Sequence, residues 1–246
     1  MKVLVACEES QRVCTAFREL GHEAYSADIQ EPSGGHPEWH ILGDVLQILN
    51  PKDHLGDFEA PDRHIAFRTM DGSYHEVEQW DMIIAFPPCT HLAVSGARHF
   101  EKKRADGRQR EGIEFFCKFF DVECEHVCIE NPINIISGNY VKQWFPDLAE
   151  KYDLPRKAQQ EVSPHFFGTP IRKKTHYWLK GLPELKPTKI VEPDLVTYVC
   201  KNGRVTTYSR SFCQGKGSQT SVERSKTPLG IAEAMAEQWG SYINEL

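Results

Sequence analysis

Residues 3–21, VLVACEESQRVCTAFRELG, set the pattern from which the rest of the fold follows. The apolar run Val3–Ala6 predicts a buried strand, and apolar residues at positions 13, 16, 17 and 20 predict a helix with one apolar face. Ser10 is placed as the cap of that helix and Gly21 as its stop. A buried strand, a polar loop and a helix in this order are typical of a sheet covered by helices.

The same alternation continues along the chain. Further strands are predicted at Glu23–Ala27, Asp81–Ala85 and His126–Ile129, and helices at 113–120 and Leu229–Trp239. This order predicts an α/β fold with a mainly parallel sheet and helices on both faces. Two stretches depart from the pattern. Residues 64–77 alternate around Asp71-Gly72 and residues 196–208 around Asn202-Gly203, and both predict hairpins.

The domain organisation follows from this pattern. A chain of 246 residues suits one α/β domain with a small appendage. We expect a core over residues 1–181, with an inserted hairpin at about 51–80. A small basic β-rich lobe is predicted over 182–224, and residues 225–246 return to the core.

Charge is unevenly distributed along the chain. The net charge is -6, yet residues 151–226 hold 15 Lys and Arg against 6 Asp and Glu, a balance of +9. A second basic cluster lies within the acidic first part: Arg98, Lys102, Lys103, Arg104, Arg108 and Arg110. Such asymmetry permits a phosphate-binding face, and a solvated loop is the equal alternative on charge alone.

Composition excludes several classes of protein. No window of eighteen apolar residues occurs, which argues against a membrane span. The apolar run at the N-terminus is too short for a secretion signal, and the eight cysteines have no regular spacing. We therefore expect reduced thiols and a cytoplasmic protein.

Polar side chains follow the predicted strands. They are Glu8, Glu9, Ser10, Asp28, Asp44, Cys89 and Glu130. Because ligands of open parallel sheets bind at the carboxyl ends of the strands, these residues are expected at one edge of the sheet. Cys89 stands on a rigid Pro87-Pro88 turn, which can aim a nucleophile, and Glu130 is an acid at a neighbouring strand end.

Five segments in this order resemble the cytosine carbon-5 DNA methyltransferases. They are Gly43-Asp44-Val45, the stretch from Asp81 through Phe86-Pro87-Pro88-Cys89-Thr90 to Ser95-Gly96, Cys128-Ile129-Glu130-Asn131-Pro132, the run from Phe167 to Lys174, and the segment from Arg224 to Ala234. The matches extend over nearly the whole chain. Within the family, the sequence is most similar to a compact subgroup found in phages and prophages.

The resemblance implies a Rossmann-like fold, S-adenosylmethionine (AdoMet) as cofactor and double-stranded DNA as partner. It makes Cys89 the nucleophile, Glu130 the acid at ring nitrogen 3 and Asn131 the residue that fixes the segment. The target base would flip out of the duplex. No metal and no membrane partner are expected.

The resemblance also assigns binding residues. The cofactor set is Cys7, Glu8, Ser10, Asp28, Ile29, Asp44, Val45, Pro87, Ser225 and Lys226. The substrate set is Pro88, Thr90, Ser95, Arg98, Lys102, Lys103, Arg104, Arg172 and Thr175. In the family the segment after the nucleophile is a mobile loop that closes over DNA, so its basic side chains are interpreted as phosphate contacts.

The chain departs from the family at three places. Glu8-Glu9-Ser10-Gln11 replaces a glycine-rich first loop. Thr175 aligns with an arginine that touches the cytosine carbonyl, so recognition either passes to Lys173 or the base pocket differs. The lobe at 182–224 is short, so sequence specificity is low, comes from a homodimer or comes from the insert.

Two other functions stay open on the sequence. One is a related pyrimidine-modifying enzyme that acts on RNA or a nucleotide, or transfers another one-carbon group, as the Thr175 departure suggests. The other is a catalytically silent DNA-binding relative. The presence of both Cys89 and Glu130 argues against it, because a binding module needs neither residue.

Several residues are predicted to be structural. Cys117, Cys124, Cys128 and His126 fit no common zinc spacing, so core packing is favoured over a metal site. The aromatic stripe over 115–120 is interpreted as core. His36 and His40 are expected to be solvated.

Overall fold

The computed structural model describes residues 1–54, 62–200, 202–210 and 223–245. The strands are β1 (Lys2–Ala6), β2 (Glu23–Asp28), β3 (His40–Leu42), β4 (Lys52–His54), β5 (Asp62–Arg68), β6 (Tyr74–Val77), β7 (Met82–Ala85), β8 (Val127–Pro132), β9 (Gln160–Val162), β10 (Thr175–Lys180), β11 (Leu195–Val199) and β12 (Val205–Ser209). The α-helices are α1 (Arg12–Glu19), α2 (Phe100–Ala105), α3 (Arg108–Cys117), α4 (Tyr140–Trp144), α5 (Pro146–Lys151) and α6 (Leu229–Asn244).

The large sheet has seven strands in the order β3-β2-β1-β7-β8-β10-β9. β1 pairs in parallel with β2 and β7, β2 pairs in parallel with β3, and β7 with β8. β10 runs antiparallel to both β8 and β9. The predicted fold class is confirmed: this is a mainly parallel, Rossmann-like α/β sheet, as the methyltransferase resemblance implies.

Helices cover both faces of the sheet, as the alternation along β1 illustrates. Leu4 belongs to an apolar cluster that includes residues of α3, α4 and α5, whereas Val5 belongs to a second cluster that includes residues of α1 and α6. A parallel strand buried on both faces needs apolar side chains on both, which explains the unbroken apolar run at residues 3–6.

The start of α1 differs from the prediction. The Glu8 carboxylate accepts the backbone N–H groups of Val13 at 2.8 Å and Cys14 at 3.2 Å, and Ser10 Oγ donates to Glu8 Oε1 at 3.3 Å. The predicted cap at Ser10 is therefore wrong, because a buried carboxylate occupies the free amides of the first turn. Gly21 follows the end of the helix as predicted, with φ of +80°.

Both predicted hairpins are present. β5 pairs antiparallel with β6 around Asp71-Gly72, and β11 pairs antiparallel with β12 around Asn202-Gly203. Residues 55–61 of the predicted insert, and residues 201 and 211–222 of the predicted lobe, lie outside the described residues. The division into core, lobe and returning segment stays a prediction.

Helix α6 returns the chain to the sheet and continues past its predicted end at Trp239 to Asn244. Trp239 is fully buried, and its Nε1 donates to the carbonyl of Pro183 at 2.9 Å. The packing of α6 fixes where the preceding segment, residues 225–227, meets the sheet. In the part of the chain that is described, no helix has the length and apolar character needed to cross a membrane.

Candidate active site

The carboxyl ends of the parallel strands surround a cavity of about 530 Å³. Its volume lies within the ordinary range for small-molecule sites, and its place at the strand ends is where such sheets bind ligands. The residues predicted from the sequence that line it are Cys7, Glu8, Ser10, Asp28, Ile29, Asp44, Val45, Pro87, Pro88, Cys89, Thr90, Glu130, Asn131, Lys173, Ser225 and Lys226. All the predicted catalytic and cofactor residues therefore come together in one place.

Most of the other predicted substrate residues lie elsewhere. Thr175 lines a second, smaller cavity of about 30 Å³ that shares Glu130 and Lys173 with the first. Those that line neither of these two cavities are Ser95, Arg98, Lys102, Lys103, Arg104 and Arg172. Their role as DNA contacts stays a prediction.

Seven lining residues lie outside the predicted catalytic, cofactor and substrate sets: Glu9, Gln30, Gly43, Phe86, Phe115, Pro132 and Thr227. Phe115 was assigned to the core because it lies within an aromatic run. Phe116 and Phe119 are indeed buried, but Phe115 is half-buried and borders the cavity. Ile113 and Phe116 are three positions apart and share one face of α3, whereas Phe115 is one position before Phe116 and points in another direction. This offset was the signal in the sequence that Phe115 does not belong to the buried stripe.

A hydrogen bond joins the Cys89 turn to the Glu130 strand. Asn131 is buried in β8, and its Nδ2 donates to the carbonyl of Pro87 at 2.7 Å. Asn134 Nδ2 donates in turn to Asn131 Oδ1 at 2.9 Å, which fixes the amide's orientation. The turn that precedes the thiol and the strand that bears the carboxyl are thus held in one geometry. The sequence did not reveal Asn134.

Glu130 is half-buried and accepts a hydrogen bond from Thr175 Oγ1 at 2.8 Å. Burial raises the pKa of the Glu130 carboxyl, and the nearby Lys173 ammonium and the Thr175 bond oppose that rise only in part. A carboxyl in such surroundings retains its proton to higher pH than an exposed one. It can therefore donate a proton to a bound ring.

Positive and negative groups both act on the pKa of the Cys89 thiol. Burial raises the pKa of its thiol, and the Glu130 carboxylate raises it further, whereas the ammonium groups of Lys173 and Lys103 lower it. Cys7 also lines the cavity, but burial and the carboxylates of Asp28 and Asp44 all raise the pKa of its thiol. Cys89 is therefore the better candidate for a thiolate nucleophile.

The opposite end of the cavity is acidic. Asp28 is the last residue of β2, and Asp44 follows β3. Each uses Oδ1 to accept a backbone N–H, from Gln30 at 2.9 Å and from Leu46 at 3.0 Å respectively. Burial raises the pKa of Glu8 to about 7, against the opposing effect of its backbone hydrogen bonds. This end can accept hydroxyl donors and a positively charged group.

The loop between β1 and α1 adopts left-handed backbone angles at two residues that are not glycine. Cys7 has φ of +60° and Gln11 has φ of +57°, a left-handed conformation that costs roughly 1–2 kcal/mol for each such residue. The buried Gln11 side chain helps to hold it, because Nε2 donates to the carbonyl of His36 at 2.8 Å and Oε1 accepts from the His36 N–H at 3.0 Å.

The prediction that His40 is solvated is wrong. His40 is fully buried, with Nδ1 at 2.8 Å from Ser26 Oγ and Nε2 at 3.0 Å from the carbonyl of Gln30. Burial lowers its pKa, so the neutral ring is favoured. His36 is half-buried, and its ring stacks on Trp39 with centroids 3.8 Å apart.

The cysteines near α3 and β8 pack in the core, as predicted. Cys117, Cys124 and Cys128 are all buried. Among the residues that the structure describes, no group of three or more His, Cys, Asp or Glu is arranged to hold a metal ion.

Comparison with known proteins gives distant similarity to solved structures alone. No protein-family model matches the chain, and no curated protein matches it. A solved structure of a prophage protein from E. coli, provisionally assigned as a DNA modification methyltransferase, is similar over 78% of this chain with 13% identity and a TM-score of 0.44. This chain covers 52% of that chain, about half its length. Function is therefore inferred from the cavity and its side chains.

Proposed function

We propose that the protein is an AdoMet-dependent methyltransferase that modifies carbon 5 of cytosine in DNA through a covalent bond to Cys89. The observation that supports this most directly is that Cys89 and Glu130 line the same cavity, on segments joined by the bond from Asn131 to Pro87. A thiol and a proton-holding carboxyl on one cavity are what addition to a pyrimidine ring requires.

The far end of the cavity suits AdoMet. Asp28 and Asp44 offer carboxylate oxygens to hydroxyl and amino donors, Ile29 offers an exposed apolar side chain, and the acidic surroundings favour a sulfonium cation. Ser225 and Lys226 close the same cavity from the segment before α6. When bound, AdoMet would supply the methyl group that carbon 5 receives.

Cys89 begins the reaction. Its thiolate forms a bond from Sγ to carbon 6, and the electron pair of the 5,6 double bond is displaced through the ring towards nitrogen 3. Glu130 gives its proton to nitrogen 3, so the ring becomes a neutral enamine with a nucleophilic carbon 5. After carbon 5 has been methylated, loss of its proton to a base restores the 5,6 double bond and expels the Cys89 thiolate, and nitrogen 3 returns its proton to Glu130.

Lys173 acts on both groups, in favour of the Cys89 thiolate and against the protonated form of Glu130. It lines the two cavities that meet at Glu130, and its Nζ donates to the carbonyl of Arg224 at 3.2 Å. Its positive charge favours the ionised forms of Cys89 and Glu130 alike. We assign it contact with the ring carbonyl, as a single donor rather than the two-pronged donor that an arginine would provide.

One observation favours a second candidate function. Thr175 donates to Glu130 at the place where the resemblance expects an arginine, so the base pocket has a different donor set from the family's. A related pyrimidine-modifying enzyme, acting on RNA or a free nucleotide, would use the same Cys89 and Glu130 chemistry. Methyl incorporation into duplex DNA, tRNA and dCMP, measured side by side, distinguishes the two.

The test of the proposed function is Cys89→Ala. We expect this variant to lose methyl transfer from labelled AdoMet to duplex DNA while it still binds AdoMet in calorimetry, because the nucleophile takes no part in holding the cofactor. Cys200→Ala is the matched control, since Cys200 is exposed on the β11–β12 hairpin. Normal transfer by Cys89→Ala would exclude the assigned nucleophile.

A further inference from the structure

The basic segment after the nucleophile does not simply face solvent. Lys103 in α2 is buried, and its Nζ donates to the carbonyl of Thr90, the residue after Cys89. Gln109 in α3 is fully buried, and its Nε2 donates to the carbonyl of His91 at 3.1 Å. Two buried side chains therefore bind the two carbonyls that follow Cys89 directly.

A second layer holds these side chains. Tyr140 OH donates to Gln109 Oε1 at 2.9 Å and accepts a hydrogen bond from Arg104. The Arg104 guanidinium lies over the Trp144 ring, 3.9 Å from its centroid. Helices α2, α3 and α4 are thus connected to the backbone after Cys89, and Arg104 serves this connection in the described structure.

The Lys103 ammonium also lies where its charge acts on the reactive thiol. Its Nζ lies 3.6 Å from the point where a Cβ would stand if residue 96 were not glycine. The ammonium is therefore enclosed between the Cys89 loop and the turn at Val94–His99. The charged groups that act on Cys89 are Glu130 from β8, Lys173 from the segment before β10, and Lys103 from α2. Lys103 supplies one of the two positive charges in this set.

We propose that Lys103 and Gln109 are positioning residues for the nucleophile, and that the Lys103 charge stabilises the Cys89 thiolate rather than contacting a DNA phosphate. A buried ammonium loses much of its hydration and needs a compensating partner. The Thr90 carbonyl is one such partner, and a thiolate at Cys89 would be another. The role in methyl transfer rests on the proposed function, whereas the effect on the thiol does not.

The experiment measures thiol reactivity in the full chain without DNA or AdoMet. Iodoacetamide forms a carbon–sulfur bond with a thiolate and releases iodide, and mass spectrometry of the Cys89 peptide gives the rate. We expect Lys103→Met to slow alkylation of Cys89 by about tenfold near neutral pH, the effect of one pKa unit on the thiolate fraction. Lys103→Arg should keep most of the rate because it keeps the charge.

The controls separate charge from folding. The rate at exposed Cys200 in the same sample should be the same in every variant, and Lys142→Met, which removes an exposed lysine of α4, should leave the Cys89 rate unchanged. Gln109→Leu keeps the charge set, so we expect alkylation to change little while kcat falls and KM for DNA stays constant.

Two outcomes would overturn the proposal. In the first, Cys89 of Lys103→Met is alkylated at the wild-type rate, and the variant loses as much duplex affinity as Lys102→Met does. Lys102→Met removes an exposed neighbour on α2. Lys103 would then be a phosphate ligand. Alternatively, an unchanged kcat in Gln109→Leu would remove the positioning role. The alkylation rate is measured without DNA or AdoMet, so its failure is distinct from failure of the Cys89→Ala test, whereas the kcat result rests on the proposed function.

Discussion

At the scale of single residues, Cys89 and Glu130 are electrostatically coupled. The Glu130 carboxylate raises the pKa of the Cys89 thiol, so the thiolate forms more readily when Glu130 holds its proton. Burial raises the pKa of Glu130 and favours that protonated form. Since each negative charge disfavours the other, the doubly ionised pair is disfavoured, and a thiolate at Cys89 is favoured only while Glu130 holds its proton.

This coupling predicts opposite effects of Glu130→Gln on two measurements. The variant removes the negative charge that opposes thiolate formation, so alkylation of Cys89 by iodoacetamide should become faster at fixed pH. Methyl transfer should fall by roughly 10²–10⁴-fold, because the proton donor to the ring is lost. Rates of both reactions on the same preparation test this, and slower alkylation in Glu130→Gln would contradict the coupling.

The sequence was sufficient to predict that Cys89 and Glu130 meet at one cavity, but not all of the cavity's surroundings. Cys89 and Glu130 lie in short motifs at strand ends, where local pattern is informative. Lys103 lies in a run of basic residues that resembles a solvated surface, and only the packing of α2 against the Cys89 loop reveals that it turns inward. His40 was misjudged for the same reason, because its partners Ser26 and Gln30 are brought to it by sheet pairing.

At the scale of elements, Glu8 connects the cavity to α1. Its carboxylate accepts the N–H groups of Val13 and Cys14, and the same side chain borders the cavity. The sequence placed the cap at Ser10 because serine is a common cap and directly precedes the helical pattern. Only the left-handed turns at Cys7 and Gln11 bring Glu8 over the first turn, and pattern alone does not predict those turns.

Glu8 should make stability depend on pH. Its pKa rises from 4.5 to about 7 on folding, so the folded chain holds more protons than the unfolded chain between these values. Stability contributed by Glu8 is therefore present below pH 4.5 and lost as the pH rises towards 7. Glu8→Gln cannot titrate and should lack that slope, with a difference on the order of 3 kcal/mol across the window.

Urea unfolding at several pH values measures this difference. Glu19→Gln, at the exposed end of the same helix, is the control and should keep the wild-type slope. An identical slope in the wild type and Glu8→Gln would contradict the assignment.

At the scale of the whole molecule, the C-terminal helix completes the site. α6 places Ser225, Lys226 and Thr227 on the cavity, although they lie far in sequence from the strands that form its floor. The alternation of strands and helices allowed the sheet class to be predicted. The pairing order of the strands, and the antiparallel position of β10 between β8 and β9, depend on contacts between distant segments that local pattern does not encode.

The close approach of α6 to the rest of the fold makes a prediction about Gly230. A Cβ at this position would lie 1.9 Å from the backbone oxygen of Phe167, so Gly230→Ala must displace backbone. We expect a loss of about 1–3 kcal/mol in the free energy of unfolding and weaker AdoMet binding, because residues 225–227 would shift. Gly138→Ala is the control, since nothing lies within 4 Å of its Cβ position. Equal melting temperatures for both variants would contradict this account.

Covalent trapping on DNA is the decisive experiment for a bond between Cys89 and cytosine. Duplex DNA that contains 5-fluorocytosine at the methylated position blocks the last step, because the fluorine at carbon 5 cannot leave as a proton does. With AdoMet present, the account predicts a stable protein–DNA adduct whose mass-spectrometric linkage is at Cys89, and no adduct with Cys89→Ala. An enzyme that methylates unmodified cytosine in that DNA yet forms no adduct, or forms one at another residue, would contradict the account.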